Sequence, residues 1–112
     1  MANVSLGKVI VPSAGTPVQV TINEADPTAP LLAHAVLIQP LPTNTGRIYV
    51  GNISTFVKSG AGQIAWLPAP GTNVAPSFSE TVSYAQNSVD LTELYVDVDN
   101  TNEGVIVSGI VI

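Results

Sequence analysis

The chain has 112 residues, of which 46% are hydrophobic and 10% are charged, with no cysteine and a formal net charge of −5. This length fits one domain with a core of its own, and the lack of cysteine excludes disulfides and thiolate metal sites. The fixed cations Lys8, Arg47 and Lys58 are too few to neutralise a run of phosphates or to bind an anionic membrane. We therefore expect a single domain spanning residues 1–112 that binds neither nucleic acid nor membrane.

Short runs rich in Val and Ile predict a mostly extended chain, because β-branched side chains are restricted on a helix. In chain order, the predicted strands are residues 4–11, 17–22, 33–39, 47–51, 54–57, 64–67, 81–84, 94–98 and 105–111. Turn residues separate them about every ten positions. Residues 87–93, with Ser88 as a cap, form either one helical turn or a loop.

No segment carries apolar side chains at helical spacing over ten or more residues, so the crossover helices of a parallel α/β sheet are missing. The sequence therefore predicts an all-β, single-domain antiparallel fold of about eight short strands, a β-sandwich or jelly-roll-like domain. The first eight residues lack the features of a secretory signal, and no apolar run approaches the ~20 residues of a membrane-spanning helix. We expect synthesis in a cytoplasm.

The strand patterns also predict which faces meet water. In residues 94–99, Leu94, Val96 and Val98 alternate with polar or aromatic residues, which is typical of a strand with one buried and one exposed face. Residues 9–11, 35–38 and 105–107 are instead apolar on both faces. We expect those strands to be covered on both sides, by a second layer of the chain or by another subunit.

Asp97, Asp99 and Glu103 form the densest carboxylate cluster, and oxygen-rich loops of this kind can bind calcium. The EF-hand pattern fails, because Thr101 occupies a ligand position and Ser108 stands where the final glutamate belongs. Residues 100–104 are thus either a polar hairpin loop between the last two strands or a weak cation site.

His34 is the only histidine, and it begins an apolar strand where a half-buried, structural ring is the simplest interpretation. The glycine-rich residues 59–63 lack the spacing and the lysine of a phosphate-binding loop and predict a hairpin loop instead. We therefore predict a protein that is not an enzyme, with no catalytic residue, no bound metal and no cofactor.

The order of turns and strands points to a class of proteins. Its main segments are GTPVQVT at residues 15–21, IQPLPTNTGRIYVG at residues 38–51, and LYVDVDNTNEGVIV at residues 94–107. This order resembles small all-β structural proteins of the virions of tailed bacteriophages, most closely capsid decoration (cement) proteins.

The resemblance implies a virion structural protein on the capsid surface. Such a protein binds the outside of the mature head, often as a homotrimer, and holds neighbouring subunits of the major capsid protein together. The uncharged segments are the expected interface, with residues 1–6 as an N-terminal contact arm: Met1, Ala2, Asn3, Val4, Leu31, Leu32, Trp66, Leu67, Pro68 and Pro70. The alternative is a carbohydrate-binding or adhesin-like β-sandwich module of a phage tail, fibre or host-attachment complex.

Overall fold

Nine strands and one 3₁₀ helix form the part of the chain that the structure, a computed structural model, describes: residues 2–26, 28–70, 77–81 and 89–111. The strands are β1 (Ala2–Ile10), β2 (Val18–Gln19), β3 (Leu32–Pro40), β4 (Ile48–Gly51), β5 (Gln63–Leu67), β6 (Phe78–Thr81), β7 (Val89–Asp90), β8 (Tyr95–Val98) and β9 (Gly104–Val111). The 3₁₀ helix, Leu91–Glu93, lies between β7 and β8.

The strands form two sheets in which every pair is antiparallel. Sheet A has the order β1-β9-β3-β6, with β7 also paired to β3, and sheet B has the order β2-β8-β4-β5. The pairs are nested around the β4–β5 hairpin: β3 pairs with β6, β2 with β8, and β1 with β9. The first four strands therefore alternate between the sheets, and the predicted all-β antiparallel sandwich is confirmed.

The core lies between the two sheets and consists of one cluster of aliphatic side chains. Its largest fully buried members are Val9, Val11, Val20, Val36, Ile38, Ile48, Val50, Leu91, Val96, Val98, Val105 and Val107. Full burial of one such side chain stabilises the fold by about 1.5–3 kcal/mol. The buried face predicted for residues 94–99 is confirmed at Leu94, Val96 and Val98, but the predicted exposed face is wrong at Asp97, which is also buried.

The described part of the chain covers the strands with two apolar faces on one side only. Val9, Val36 and Val107 are buried against sheet B, whereas their neighbours Ile10 and Leu37 remain exposed on the other side of sheet A. The described residues form two layers, which are the two sheets. None of these residues forms a third layer over the outer face of sheet A.

The prediction of a strand at residues 54–57 is wrong. This segment belongs to the long connection between β4 and β5, which turns at Ile53, whose carbonyl oxygen accepts from the Phe56 N–H at 3.3 Å. Phe56 is buried against Gly51, where its ring occupies the space that a side chain at residue 51 would take. Packing of this one aromatic ring fixes a loop where propensity favours extended chain. The glycine-rich residues 59–62 lie in the same hairpin connection, as predicted, and Gln63 begins β5.

The prediction that residues 100–104 form a hairpin loop is also wrong. The segment follows β8 in sheet B and leads into β9 in sheet A, so it connects the two layers. Asn102 adopts a left-handed backbone with φ of 67° and donates its N–H to the Val11 oxygen at 2.9 Å. This bond ties the connection to the end of β1 instead of to a partner strand.

Most other strand boundaries differ from the sequence prediction by one or two residues, and some elements differ further. Strand β2 ends at Gln19, because residues 20–23 turn. Strand β6 ends at Thr81, and residues 82–84 of the predicted strand lie outside the described residues. The helical turn is present at Leu91–Glu93 but is capped by Asp90, whose carboxylate accepts from the Thr92 N–H at 3.0 Å; Ser88 lies outside the described residues. No described helix is long and apolar enough to cross a membrane.

The N-terminal segment is part of sheet A. Ala2 pairs with Val111 and Ser5 with Ser108, and a bulge follows at Gly7, whose φ is +80°. Strand β1 lies at the edge of the sheet, because β9 is its one neighbour among the described strands. Any contact made by residues 2–6 is thus made by an edge strand.

We expect Gly104→Ala to destabilise the fold by about 1–3 kcal/mol, because the added carbon would collide with the backbone of Val9 and Ile10. Gly60→Ala is the matched control, since its added carbon meets only Val57 at 3.4 Å. Urea unfolding of both variants measures the difference. Equal stabilities would contradict the close approach of β1 and β9 at Gly104.

Candidate functional site

The outer face of sheet B carries polar and aromatic side chains and is partly covered by the β4–β5 connection. Tyr49 pairs with Trp66 on one side and with Asp97 on the other, so the three lie in one row across the sheet. Phe56 and Lys58 of the connection lie over this face, with Phe56 against Gly51 and the Lys58 ammonium 5.3 Å from the centre of the Tyr49 ring. The connection therefore creates a site on a face that would otherwise be flat.

Asp97 is a buried carboxylate at the centre of this face. It is 2% exposed, and its Oδ1 accepts hydrogen bonds from the N–H groups of Gly15 at 2.9 Å and Val98 at 2.8 Å. The first bond joins the connection before β2 to β8 across 82 residues of sequence. We expected Asp97 on an exposed strand face, and its burial arises because two connections fold over that face.

A groove of about 520 Å³ opens above Asp97 between these connections. Its walls are residues 15–17 on one side and residues 54–58 on the other. Hydroxyl groups of Thr16, Ser54 and Thr55 and apolar surface of Pro17 and Val57 line it together. Mostly apolar clefts of this size with a few polar groups are the usual form of small-molecule sites.

Asp99 takes part in a separate, more exposed network. It accepts from the Tyr49 hydroxyl at 3.0 Å and lies 3.5 Å from the Lys58 ammonium, which also donates to the Val98 oxygen at 2.5 Å. Burial and the bond to Asp99 raise the pKa of Tyr49 above its ordinary value, so the phenol stays a donor at neutral pH. The ion pair is partly exposed and contributes little to stability by itself.

Trp66 lies at the margin of the same face and is 48% exposed. The Arg47 guanidinium carbon is 4.5 Å from the centre of the Trp66 ring, which is cation–π geometry. Trp66 is therefore a surface residue of this chain, and its position at an interface stays a prediction.

Glu103 binds a third and different set of partners. Its carboxylate accepts from the Thr45 N–H at 2.7 Å, the Thr45 hydroxyl at 3.1 Å and the Gly46 N–H at 3.0 Å. Burial raises the pKa of Glu103, but the bonds from Thr45 and Gly46 together outweigh burial and lower the pKa below its ordinary value. The residue clamps the β3–β4 connection to the β8–β9 connection.

The three carboxylates considered for a cation site thus bind three different sets of protein groups. Within residues 2–26, 28–70, 77–81 and 89–111, no three His, Cys, Asp or Glu side chains are placed to hold a metal ion. His34 is partly buried on β3, at an irregularity in the pairing of β3 with β9 between Ala33 and Ala35.

The residues expected at an interface are divided between the two sheets. Ala2, Asn3 and Val4 are in β1 and Leu32 begins β3, all in sheet A, whereas Trp66 and Leu67 end β5 in sheet B. Val4 and Leu32 are exposed, Leu31 is partly buried against the core and Leu67 is buried. Pro68 is exposed and Pro70 half-buried, and Met1 lies outside the described residues.

Sequence reasoning missed the groove and the role of Asp97 in it. The alternation of β8 places Asp97 on the outer face, but the cover depends on residues 15–17 and 54–58, which are distant in sequence. The sequence predicts a strand at residues 54–57, so it does not indicate the loop that forms one wall of the groove.

Comparison of the chain with models of known protein families, with curated proteins and with solved structures finds no match in any of the three.

The Glu103 clamp predicts a specific pH dependence. Because the pKa of Glu103 is lower in the folded chain than its ordinary 4.5, its ionised form stabilises the fold above that pH. The contribution is lost as the pH falls through the folded-state pKa. We therefore expect Glu103→Gln to be less stable than the wild type at neutral pH and equally stable at strongly acidic pH.

Urea unfolding over a pH series measures this difference, with Glu24→Gln, at an exposed carboxylate, as the matched control. A stability gap for Glu103→Gln that is independent of pH, or that matches the gap for Glu24→Gln, would contradict the clamp.

Proposed function

We propose that this chain is a non-enzymatic virion structural protein of a tailed bacteriophage, and that it decorates the outer surface of the mature head. The observation that carries the proposal is the outer side of sheet A, which the described residues leave uncovered and which supports a protein that functions by contact with other subunits. The resemblance of the strand and turn order to capsid decoration proteins supports the same class.

The apolar face, as we name it, consists of Ile10, Leu37, Ile106 and Ile110 on the outer side of sheet A. Their exposed fractions lie between 36% and 39%. Leu37 pairs with Ser108, and is therefore the diagonal neighbour of Ile106 and Ile110 across the β3–β9 ladder. The four side chains thus form a patch in the sheet and are not scattered over the surface.

This face carries little charge. Lys8, which pairs with Ile106, and Asp90, which pairs with Leu32, are the charged residues that alternation places there among those whose side chains the structure describes. Desolvation of a surface with so few charges costs little, so this face suits burial against another protein. Contiguous apolar patches on small proteins commonly mark interaction sites.

The apolar face continues around the edge of sheet A. A second groove of about 520 Å³ lies beside Ile10, with Pro12, Pro17, Val18 and Ile22 along its walls. At this edge the Asn23 side chain donates to the Lys8 oxygen and so occupies one of the free backbone groups of β1. The edge is thereby partly protected against further strand pairing, which favours contact through side chains.

The nesting of the strands supports a finer assignment of the fold. Without the two-residue β7, the eight remaining strands pair first with last, second with seventh, third with sixth and fourth with fifth. We propose on this basis that the sandwich is a jelly roll, the form of many viral capsid and lectin domains.

The proposed mechanism is stabilisation by selective binding. A protein that binds the mature lattice and not its precursor shifts the equilibrium toward the mature form, and many copies multiply a modest affinity per site. In this role the apolar face contacts the major capsid protein or the other subunits of a homotrimer, and the protein acts on the capsid surface. No reaction is required.

We expect Ile106→Glu to abolish assembly, because it would place a charge at the centre of the apolar face. The measurement is the solution mass by light scattering over a dilution series, followed by co-sedimentation with expanded heads of the major capsid protein from the same virus. Wild-type protein is expected to remain a trimer on dilution and to sediment with the heads.

Ile64→Glu is the matched control, because Ile64 is 42% exposed but lies on β5 of sheet B. We expect it to assemble like the wild type. A wild-type monomer that does not bind expanded heads would contradict the proposed function. Equal behaviour of the two variants would contradict the role of the apolar face.

A further inference from the structure

We propose that the groove above Asp97 is a binding site for a neutral sugar residue. The proposal does not depend on a role in the capsid, since the groove is on sheet B and the apolar face is on sheet A. It would give the protein a second contact, with a glycan, on the opposite side of the sandwich.

The Asp97 carboxylate is a hydrogen-bond acceptor held in a fixed position beside the groove. The hydrogen bonds from the Gly15 and Val98 N–H groups both end on Oδ1. Asp97 is one of the residues that line the groove, so a ligand there meets its carboxylate. Because Asp97 is only 2% exposed, its carboxylate is held in place. A ligand hydroxyl can therefore donate a hydrogen bond to Oδ2.

One negative and one positive side chain line the groove. Asp97 disfavours an anion, and Lys58, which lines the same groove, disfavours a cation. A neutral group that both donates and accepts is compatible with the two charges at once. It can donate to Asp97 Oδ2 and accept from the ammonium of Lys58 or from the hydroxyls of Ser54 and Thr55.

The walls of the groove contain both apolar and hydroxyl-bearing residues. Pro17, Phe56 and Val57 give the groove an apolar surface beside its hydroxyl groups. A pyranose ring has the corresponding mixture, with hydroxyls on its rim and C–H groups on its faces. The groove of about 520 Å³ is also of the size class of small-ligand sites.

The frame of the groove is fixed by contacts that do not require a ligand. Gly15 is held by Asp97, and the Lys58 ammonium is held by the Val98 oxygen at 2.5 Å. Phe56 is anchored over Gly51. Both walls are therefore tied to sheet B before binding, which limits the ordering cost of a ligand contact.

The test is a titration of the ¹⁵N-labelled full chain, followed by amide chemical shifts. The probes are glucose, galactose, mannose and N-acetylglucosamine, with glucuronate and ethanolamine as charged comparisons. We expect a saturable shift of the Gly15, Thr16 and Lys58 amides with at least one neutral sugar and none with the charged probes. Asp97→Asn keeps one side-chain oxygen, which can still accept from Gly15, and replaces the other by an N–H donor. It should weaken sugar binding roughly tenfold or more.

Because Asp97 also holds Gly15, a second variant leaves that bond untouched. Ser54→Ala combined with Thr55→Val removes two hydroxyls from an exposed loop and should also weaken the binding. Glu93→Gln, which removes one exposed charge outside the groove, should not change it. Absence of saturable shifts with every neutral sugar, unchanged binding in both groove variants, or binding of a charged probe alone would each overturn the proposal.

Discussion

The burial of Val, Ile and Leu side chains between two antiparallel sheets is the constraint on which the rest of this structure depends. Successive side chains of a strand point to opposite faces of the sheet. Val9, Val36 and Val107 point into the core. Their neighbours Ile10, Leu37 and Ile106 therefore lie on the outer face. A small sandwich has two layers, and these strands are apolar on both faces. The same pattern that builds the core therefore leaves an apolar surface for contact with another protein.

The two outer faces differ because the connections lie on one of them. The β4–β5 connection and residues 15–17 fold over sheet B, anchored by Phe56 on Gly51 and by the bond from Gly15 to Asp97. They bury a carboxylate and enclose a groove there. Sheet A has no such cover among the described residues, so its outer face is flat and mainly apolar. We infer from this difference that sheet A contacts other proteins and that sheet B binds a small polar ligand.

Local pattern was sufficient to predict the fold class but not the site. The inward positions of β8 and the low content of helix could be predicted, because period two and β-branched composition act over a few residues. Residues 54–57 have the same composition, but a contact between Phe56 and Gly51 decides their conformation. Likewise, Glu103 binds Thr45 and Gly46, 57 or more residues away, so nothing near it in sequence distinguishes a clamp from a hairpin turn.

The most direct test of the central claim is hydroxyl-radical footprinting of the assembled protein, on heads or as an oligomer, compared with the dilute chain. Our account predicts reduced labelling of Leu37, Ile106 and Ile110 and unchanged labelling of Ile64 and Val57. Protection of Ile64 and Trp66 with no change on sheet A would contradict it, because the contact surface would then lie on the other side of the sandwich.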